Sequence, residues 1–337
     1  MRATVIGVSG YTGQVLLKLL TNHPEIDSII PISTSLDGQR VEKKFKLFAE
    51  KRFSLTDGKI VNLAAAQRVQ TDVVFSCLPH LTSAKVCEPF FGKCVVIDLS
   101  ADFRIDEKKI FQRAYKTQIP REDLIKQACY GLCEWNLSQI KKSNIIAVPG
   151  CYPTATLLPI LPFTKHSLIE SCFVVNALSG VSGAGKKLAE DLLYCQRAEN
   201  AHAYLPGKQH RHLPEMEYQI QKITDFASDI IFTPHIVPQK QGMFVSTVAT
   251  LLKQMKKSEI YQILTDTYKE CPFVRIEDDI PQTQNLLFSN RCDISFCLEG
   301  DKLLLFSAID NLYKGASGNA VQNMNIRFGF SQSCGLV

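Results

Sequence analysis

Residues 4–20 read Thr4-Val5-Ile6-Gly7-Val8-Ser9-Gly10-Tyr11-Thr12-Gly13-Gln14-Val15-Leu16-Leu17-Lys18-Leu19-Leu20. A short apolar run enters three glycines spaced G-x-x-G-x-x-G, and apolar residues at helical spacing (Val15, Leu16, Leu19, Leu20) leave them. The pattern predicts a buried strand over 2–8, a glycine turn, and a helix over 14–22 that Pro24 ends. In that context the glycines let backbone approach a pyrophosphate at the helix N-terminus. Gly7, Ser9, Gly10, Tyr11, Thr12 and Gly13 are therefore the expected dinucleotide contacts.

Working outward, further apolar runs lie at 27–33, 72–78, 93–99 and 144–148. Strands apolar on both faces, alternating with helical segments, indicate a parallel sheet covered on both sides. Residues 1–149 are thus expected to form a doubly wound, Rossmann-type α/β domain. The pattern then changes. Strands are expected over 172–178, 229–232, 244–252, 292–298 and 302–308, the last two as a hairpin around Glu299-Gly300-Asp301. Helices are expected over 154–161, 186–197, 215–223 and 258–269. This reads as an α+β domain over 150–311, with a helix over 319–330 returning 312–337 to the first domain.

The composition fits two globular domains: 337 residues, 45% hydrophobic and 21% charged. No apolar run approaches the roughly 20 residues of a membrane helix. A net charge of +5, without a basic block, favours small anionic ligands over nucleic acid. Twelve cysteines include no C-x-x-C pair and no set spaced for zinc, so no metal is expected. Most lie in apolar stretches, and no signal peptide precedes Thr4, so free thiols in a reducing cytoplasm are expected.

Cofactor choice is read at the tip of the second strand. An enzyme using NAD commonly places a carboxylate there to hold the ribose 2′-hydroxyl. This strand ends Ile32-Ser33-Thr34-Ser35, with Asp37 beyond and Arg40 near. Ser33 and Ser35 can donate to a 2′-phosphate without repelling it, so NADP(H) is expected.

Three further stretches carry chemistry. In Pro149-Gly150-Cys151-Tyr152-Pro153-Thr154, Cys151 sits on a turn between a strand and a helix start. The helix dipole there favours the thiolate, which suits a nucleophile. Residues 179–187, Ser-Gly-Val-Ser-Gly-Ala-Gly-Lys-Lys, contain G-x-x-x-x-G-K, but Lys187 stands where a triphosphate loop needs Ser or Thr. The stretch is read instead as a small-residue loop whose amides and hydroxyls, around Ser179 and Gly180, meet an anionic substrate. In His210-Arg211-His212-Leu213-Pro214-Glu215, two imidazoles and a guanidinium precede a helix, which suggests general acid–base chemistry. Only one histidine is expected to face Cys151. Arg211, His212 and Glu215 are taken with Ser179 and Gly180 as substrate contacts. A thiolate, a base and a nicotinamide together fit a dehydrogenase with a thioester intermediate.

At this point the chain resembles the N-acetyl-γ-glutamyl-phosphate reductases. The four motifs above carry the resemblance, joined by Leu99-Ser100-Ala101-Asp102-Phe103-Arg104, Tyr130-Gly131-Leu132, Phe232-Thr233-Pro234-His235 and Ala308-Ile309-Asp310-Asn311-Leu312. The resemblance spans nearly the whole chain in order. It implies reduction of N-acetyl-glutamyl 5-phosphate by NADPH to the 5-semialdehyde with release of phosphate, in a homo-oligomer (dimer or tetramer). It places the nucleophile on Cys151 and the base on His210. One position departs: family members tend to carry Arg before the glycine at 242, and this chain has Gln241. The rival readings are a reductase of another acyl phosphate, such as aspartyl phosphate, and a non-catalytic NADP-binding regulator.

Overall fold

The computed structural model describes residues 1–46, 50–186 and 189–336. The chain forms two compact units. The first comprises Met1–Asp106, Ile119–Pro149 and Ala316–Val337; the second comprises Glu107–Gln118 and Gly150–Gly315. Residues 107–118 thus group with the second unit, and the returning segment starts at Ala316 rather than 312.

The first unit is built on β1 (Arg2–Ile6), β2 (Ser28–Ile32), β3 (Val73–Ser76), β4 (Val95–Asp98), β5 (Ala128–Tyr130) and β6 (Ile145–Ala147). They form one parallel sheet in the order β2-β1-β3-β4-β6-β5. Every residue of β3, β4 and β6 is buried, as expected for strands covered on both faces. Ile6, Ile30, Ile32, Val74 and Val96 build one core layer with Phe90. The helices Tyr11–Thr21 and Gly318–Phe328 pack against each other, and Ser317 Oγ donates to the Thr12 carbonyl at 2.8 Å. The strand order reverses beside β1, so the glycine turn opens at the topological switch point, where ligands of such sheets bind. The sequence reading omitted β5, a three-residue strand at the sheet edge in which only Tyr130 is buried.

The second unit holds β7 (Cys172–Ser179), β8 (His202–Ala203), β9 (Asp229–Ile236), β10 (Met243–Thr250), β11 (Val274–Ile276), β12 (Cys292–Glu299) and β13 (Lys302–Ile309). Their order is β11-β12-β13-β10-β7-β9-β8. The β12–β13 hairpin forms as expected, whereas the short β8 and β11 carry no sequence pattern. Alternation is strict in β7 and β10, where every second residue is buried under helices. The 186–197 helix does not form as one element. Residues 187 and 188 lie outside the described residues, and beyond them stand a 3₁₀ turn (Glu190–Leu192) and a single helical turn (Tyr194–Arg197).

The helix Cys151–Lys165 is apolar on all sides and buried from Tyr152 to Thr164. Pro159 and Pro162 lie inside it and lack the N–H groups that would bond the Ala155 and Leu158 carbonyls. Those two carbonyls are satisfied from neighbouring elements. Ser307 Oγ of β13 donates to Ala155 at 2.6 Å, and Tyr268 Oη of the helix Lys257–Tyr268 donates to Leu158. The helix that begins at Cys151 is thereby locked to the sheet beneath it.

Candidate active site

Cys151 is the first residue of its helix. Gly150, in extended conformation, caps the helix without a side-chain hydrogen bond, and Pro153 occupies the first turn, where N–H groups have no intrahelical partner. All twelve cysteines are thiols rather than disulfides. Two glycines set Cys151 in place. A Cβ on Gly150 would come within 2.6 Å of His212 Nε2, and a Cβ on Gly315 would lie 2.8 Å from the Cys151 Cβ. Only hydrogen fits at either position.

The thiol residue opens on a cavity of about 350 Å³ in the second unit, lined by Cys151, Tyr152, Ser179, Gly180, Tyr204, His210, Arg211 and His212 among others. The cavity therefore brings together the expected nucleophile, both histidines, Arg211 and the start of the small-residue loop. Only one histidine was expected to face Cys151; both line the cavity, with ring centroids 5.0 Å apart. The backbone is extended at His210 and turns helical at Arg211, so the rings converge at the start of the helix His212–Thr224.

His210 is buried among the edges of Tyr152, Tyr204 and Phe232. Burial first, and the Arg211 charge second, push its imidazole down to about 4. Its Nδ1 accepts the backbone N–H of His212 at 3.1 Å. With Nδ1 so engaged, the neutral ring carries its proton on Nε2 and acts as a hydrogen-bond donor. Taking a proton at Nε2 requires giving up that backbone contact, which is an obstacle to the expected role of His210 as general base.

Two further residues are added by the structure. The hydroxyls of Tyr152 and Tyr204 are 2.9 Å apart at the cavity wall. Burial pushes Tyr152 up strongly and Tyr204 up to about 12, so both phenols stay protonated. Tyr152 adjoins Cys151 in sequence and could have been flagged there; Tyr204 lies in a stretch with no motif.

Two expectations are revised. The amides of the small-residue loop are not left for an anion. Gly180, Val181 and Ser182 donate to the carbonyls of Gly242, Gln239 and Lys240, and Gly183 and Gly185 donate within the loop. The tight turn consumes its own donors, which leaves mainly side chains and the cavity wall to meet a ligand. Glu215, expected as a substrate contact, is fully buried outside the cavity lining, and its carboxylate accepts the Gly150 N–H at 2.9 Å. Glu215 holds the turn that carries Cys151.

In the first unit, Gly7 adopts φ +89°, and a Cβ there would lie 2.6 Å from the Cys77 carbonyl oxygen. A Cβ on Gly13 would lie 2.4 Å from the Gly7 carbonyl, so the helix starts hard against the strand end. Gly10 caps the helix Tyr11–Thr21 in extended conformation without a side-chain bond. These features form the cradle that a pyrophosphate needs. Ser9, Tyr11 and Thr12 sit within this turn and helix start. At the tip of β2, Ser33 Oγ lies 3.2 Å from Ser35 Oγ, and Asn62 Nδ2 donates to the Asp37 carboxylate. The Arg40 guanidinium lies near Gly58. Among the described residues no group of three or more His, Cys, Asp and Glu could hold a metal, and no helix is long and apolar enough to cross a membrane.

Residues 2–143 match the description "Semialdehyde dehydrogenase, NAD binding domain", and residues 151–311 match "Semialdehyde dehydrogenase, dimerisation domain". An N-acetyl-gamma-glutamyl-phosphate reductase of Caldicellulosiruptor bescii is 37% identical over 343 residues, covering 100% of this chain and 98% of the relative. One of Campylobacter jejuni subsp. jejuni is 35% identical over 346 residues with the same coverage. The chain belongs to the N-acetyl-gamma-glutamyl-phosphate reductase family. The solved aspartate semialdehyde dehydrogenase II of Vibrio cholerae, complexed with ASA, superposes with a TM-score of 0.72 at 18% identity over 97% of this chain and 98% of that one. The aspartate semialdehyde dehydrogenase with NADP from Candida albicans gives 0.64 at 16% identity over 96% and 97%. These likenesses establish the shared two-domain semialdehyde dehydrogenase fold. The chain is an oxidoreductase with a nicotinamide-binding first domain. The match to the semialdehyde dehydrogenase dimerisation domain begins at Cys151 and contains all the residues that line the cavity described above.

Proposed function

We propose that this protein reduces N-acetyl-L-glutamyl 5-phosphate to N-acetyl-L-glutamate 5-semialdehyde with NADPH, releasing phosphate, through a thioester on Cys151. The observation that carries this reading is the cavity: a thiol at a helix N-terminus shares it with two imidazoles and a guanidinium, in a chain related over its full length to reductases of that name. The thiolate attacks the acyl carbon and phosphate leaves. NADPH, when bound, supplies the hydride that reduces the thioester. The resulting thiohemiacetal releases the aldehyde and regenerates the thiolate.

The residues have distinct parts in this reading. The dipole of the helix Cys151–Lys165 favours the thiolate. His210, neutral with its proton on Nε2, donates a hydrogen bond to the oxygen that gains charge, in the manner of a preorganised oxyanion donor. Arg211 offers the substrate's anionic groups a fixed positive charge. His212 packs on Gly150 and orients the turn. Gly7, Gly10 and Gly13 would hold the pyrophosphate. Ser33 and Ser35, with no carboxylate at the strand tip itself, support NADPH over NADH.

The dimerisation region also supports a homo-oligomer, and the sheet of the second unit offers a surface for it. Val174, Leu178, Phe244, Val248, Leu304 and Phe306 alternate with the residues under the helices, and Phe244 stacks on Phe306 at 6.1 Å.

The deciding experiment is phosphate-dependent, NADP⁺-linked oxidation by purified protein. N-acetylglutamate semialdehyde is expected to be turned over efficiently and aspartate semialdehyde poorly. The opposite order would assign the site to aspartyl phosphate. No turnover of either, in folded protein that binds NADPH, would favour a non-catalytic role.

A further inference from the structure

Strand β13 leaves the sheet at Ile309, and the next two residues are buried polar ones, Asp310 and Asn311. We propose that this adjacent pair positions the two sides of the active site separately: Asp310 fixes the nucleophile Cys151, and Asn311 fixes the loop that begins at Ser179. The proposal rests on the reading of Cys151 as the nucleophile.

Asp310 is fully buried. One carboxylate oxygen accepts the backbone N–H groups of Leu312 and Tyr313 at 2.8 and 3.1 Å. The other accepts the Phe288 N–H at 2.7 Å and the Gln241 side-chain amide at 2.5 Å. Four donors occupy the lone pairs of an ionised carboxylate, so its role is internal. The carbonyl of Asp310 also receives the Gly315 N–H at 3.0 Å. That bond closes the turn which lays Gly315 against the Cys151 Cβ. Moving the turn moves the surface on which the thiol-bearing carbon rests.

Asn311 points its two polar atoms the other way. Its Oδ1 accepts the Gly242 N–H at 2.7 Å, and its Nδ2 donates to Ser182 Oγ at 3.0 Å. The amides of Gly180, Val181 and Ser182 already hang on the carbonyls of residues 239–242. A Cβ on Gly180 would lie 2.7 Å from the Gln241 amide nitrogen. Asn311 thus pins both strands of this two-segment wall, and the wall lines the cavity at Ser179, Gly180 and Gly183. Gln241 links the halves, since its backbone supports the wall and its side chain binds Asp310.

This division predicts a split that general loosening would not produce. Asp310→Asn turns one acceptor into a donor that must face two of the four donors, either Leu312 and Tyr313 or Phe288 and Gln241. It should lower kcat at least about 10-fold with KM for the semialdehyde within about 2-fold. Alkylation of Cys151 by iodoacetamide, followed on its own peptide by mass spectrometry, should change at least about 5-fold in rate. Asn311→Ala should raise KM about 10-fold and leave the Cys151 alkylation rate within about 2-fold. Gln241→Ala, which keeps the carboxylate and three of its donors, should follow Asp310→Asn at smaller amplitude. It carries the test if Asp310→Asn does not fold. Folded variants in which both positions shift kcat and KM alike, or in which neither Asp310→Asn nor Gln241→Ala changes Cys151 alkylation, would overturn the proposal. The parent reading is checked apart from it by Cys151→Ser: retained turnover there would remove Cys151 as nucleophile, whatever the alkylation rates show.

Discussion

His210 sits where a positive charge would lose its water, ringed by aromatic edges and next to Arg211. Its pKa of about 4, against an ordinary 6.5, means that the unfolded chain takes up a proton before the folded one does. Stability from this residue is therefore present above about pH 6.5 and is lost as pH falls toward 4, by on the order of 3 kcal/mol. Asp98 has the opposite sign. Burial first, and neighbouring Asp102 second, raise it to about 6, so stability present below pH 3.8 is lost as pH rises through 6, by a similar order. Thermal scans from pH 4 to 8 should show His210→Asn flattening the acid-side loss and Asp98→Asn flattening the loss toward neutrality; unchanged slopes in both would refute these assignments. In catalysis, His210→Asn should depress kcat by about 10²-fold or more. The wild-type pH–rate profile should show no His210 limb near neutrality, where an ordinary imidazole would give one, because tertiary burial moves that ionisation to acid. Ser33 makes a third residue-scale prediction. Ser33→Asp puts a carboxylate at the tip of β2, and kcat/KM should shift from NADPH toward NADH; an unmutated enzyme that uses both equally would contradict the reading of that tip.

The helix Cys151–Lys165 shows how an element with poor local credentials is kept. Three prolines in 15 residues would weaken an isolated helix. Here Pro153 falls in the first turn, and the carbonyls orphaned by Pro159 and Pro162 receive hydroxyl groups from Ser307 and Tyr268. Ser307→Ala and Tyr268→Phe should each cost about 1–3 kcal/mol, the penalty for a buried acceptor left without a donor. Urea unfolding would measure it, and a loss below about 0.5 kcal/mol in both would mean that the carbonyls find other partners. The sequence predicted this helix only over 154–161, ending just before Pro162; the hydroxyl groups that let it run on through both inner prolines lie about 110 to 150 residues away in the chain. Long periodic elements were legible, as at 14–22 and 258–269, since 3.6-residue spacing is a local property. The 186–197 segment had helical spacing but forms only short turns where it is described, and the edge strands β5, β8 and β11 are too short to show a period.

At the scale of the molecule, the second unit's sheet has one face beneath helices and one lined by half-buried apolar side chains. A face of this kind is suited to meeting a second copy. Phe244→Asp should therefore shift sedimentation from oligomer toward monomer, and an unchanged sedimentation coefficient would place the contact elsewhere. By itself the sequence determined the two-domain order, the parallel first sheet, the glycine turn at its switch point and the singular position of Cys151. Each of these is written in contiguous residues, as an apolar run, a glycine spacing or a turn beside a helix start. Only the tertiary structure decided what surrounds the thiol. It brought Tyr204 to the cavity wall, turned both histidines into one cavity, withdrew Glu215 behind Gly150, and engaged the loop amides at 180–183 with carbonyls at 180 and 239–242. These are contacts between segments distant in the chain, fixed by which donors and acceptors remain unmatched once the helices and sheets have formed, and no local pattern records them.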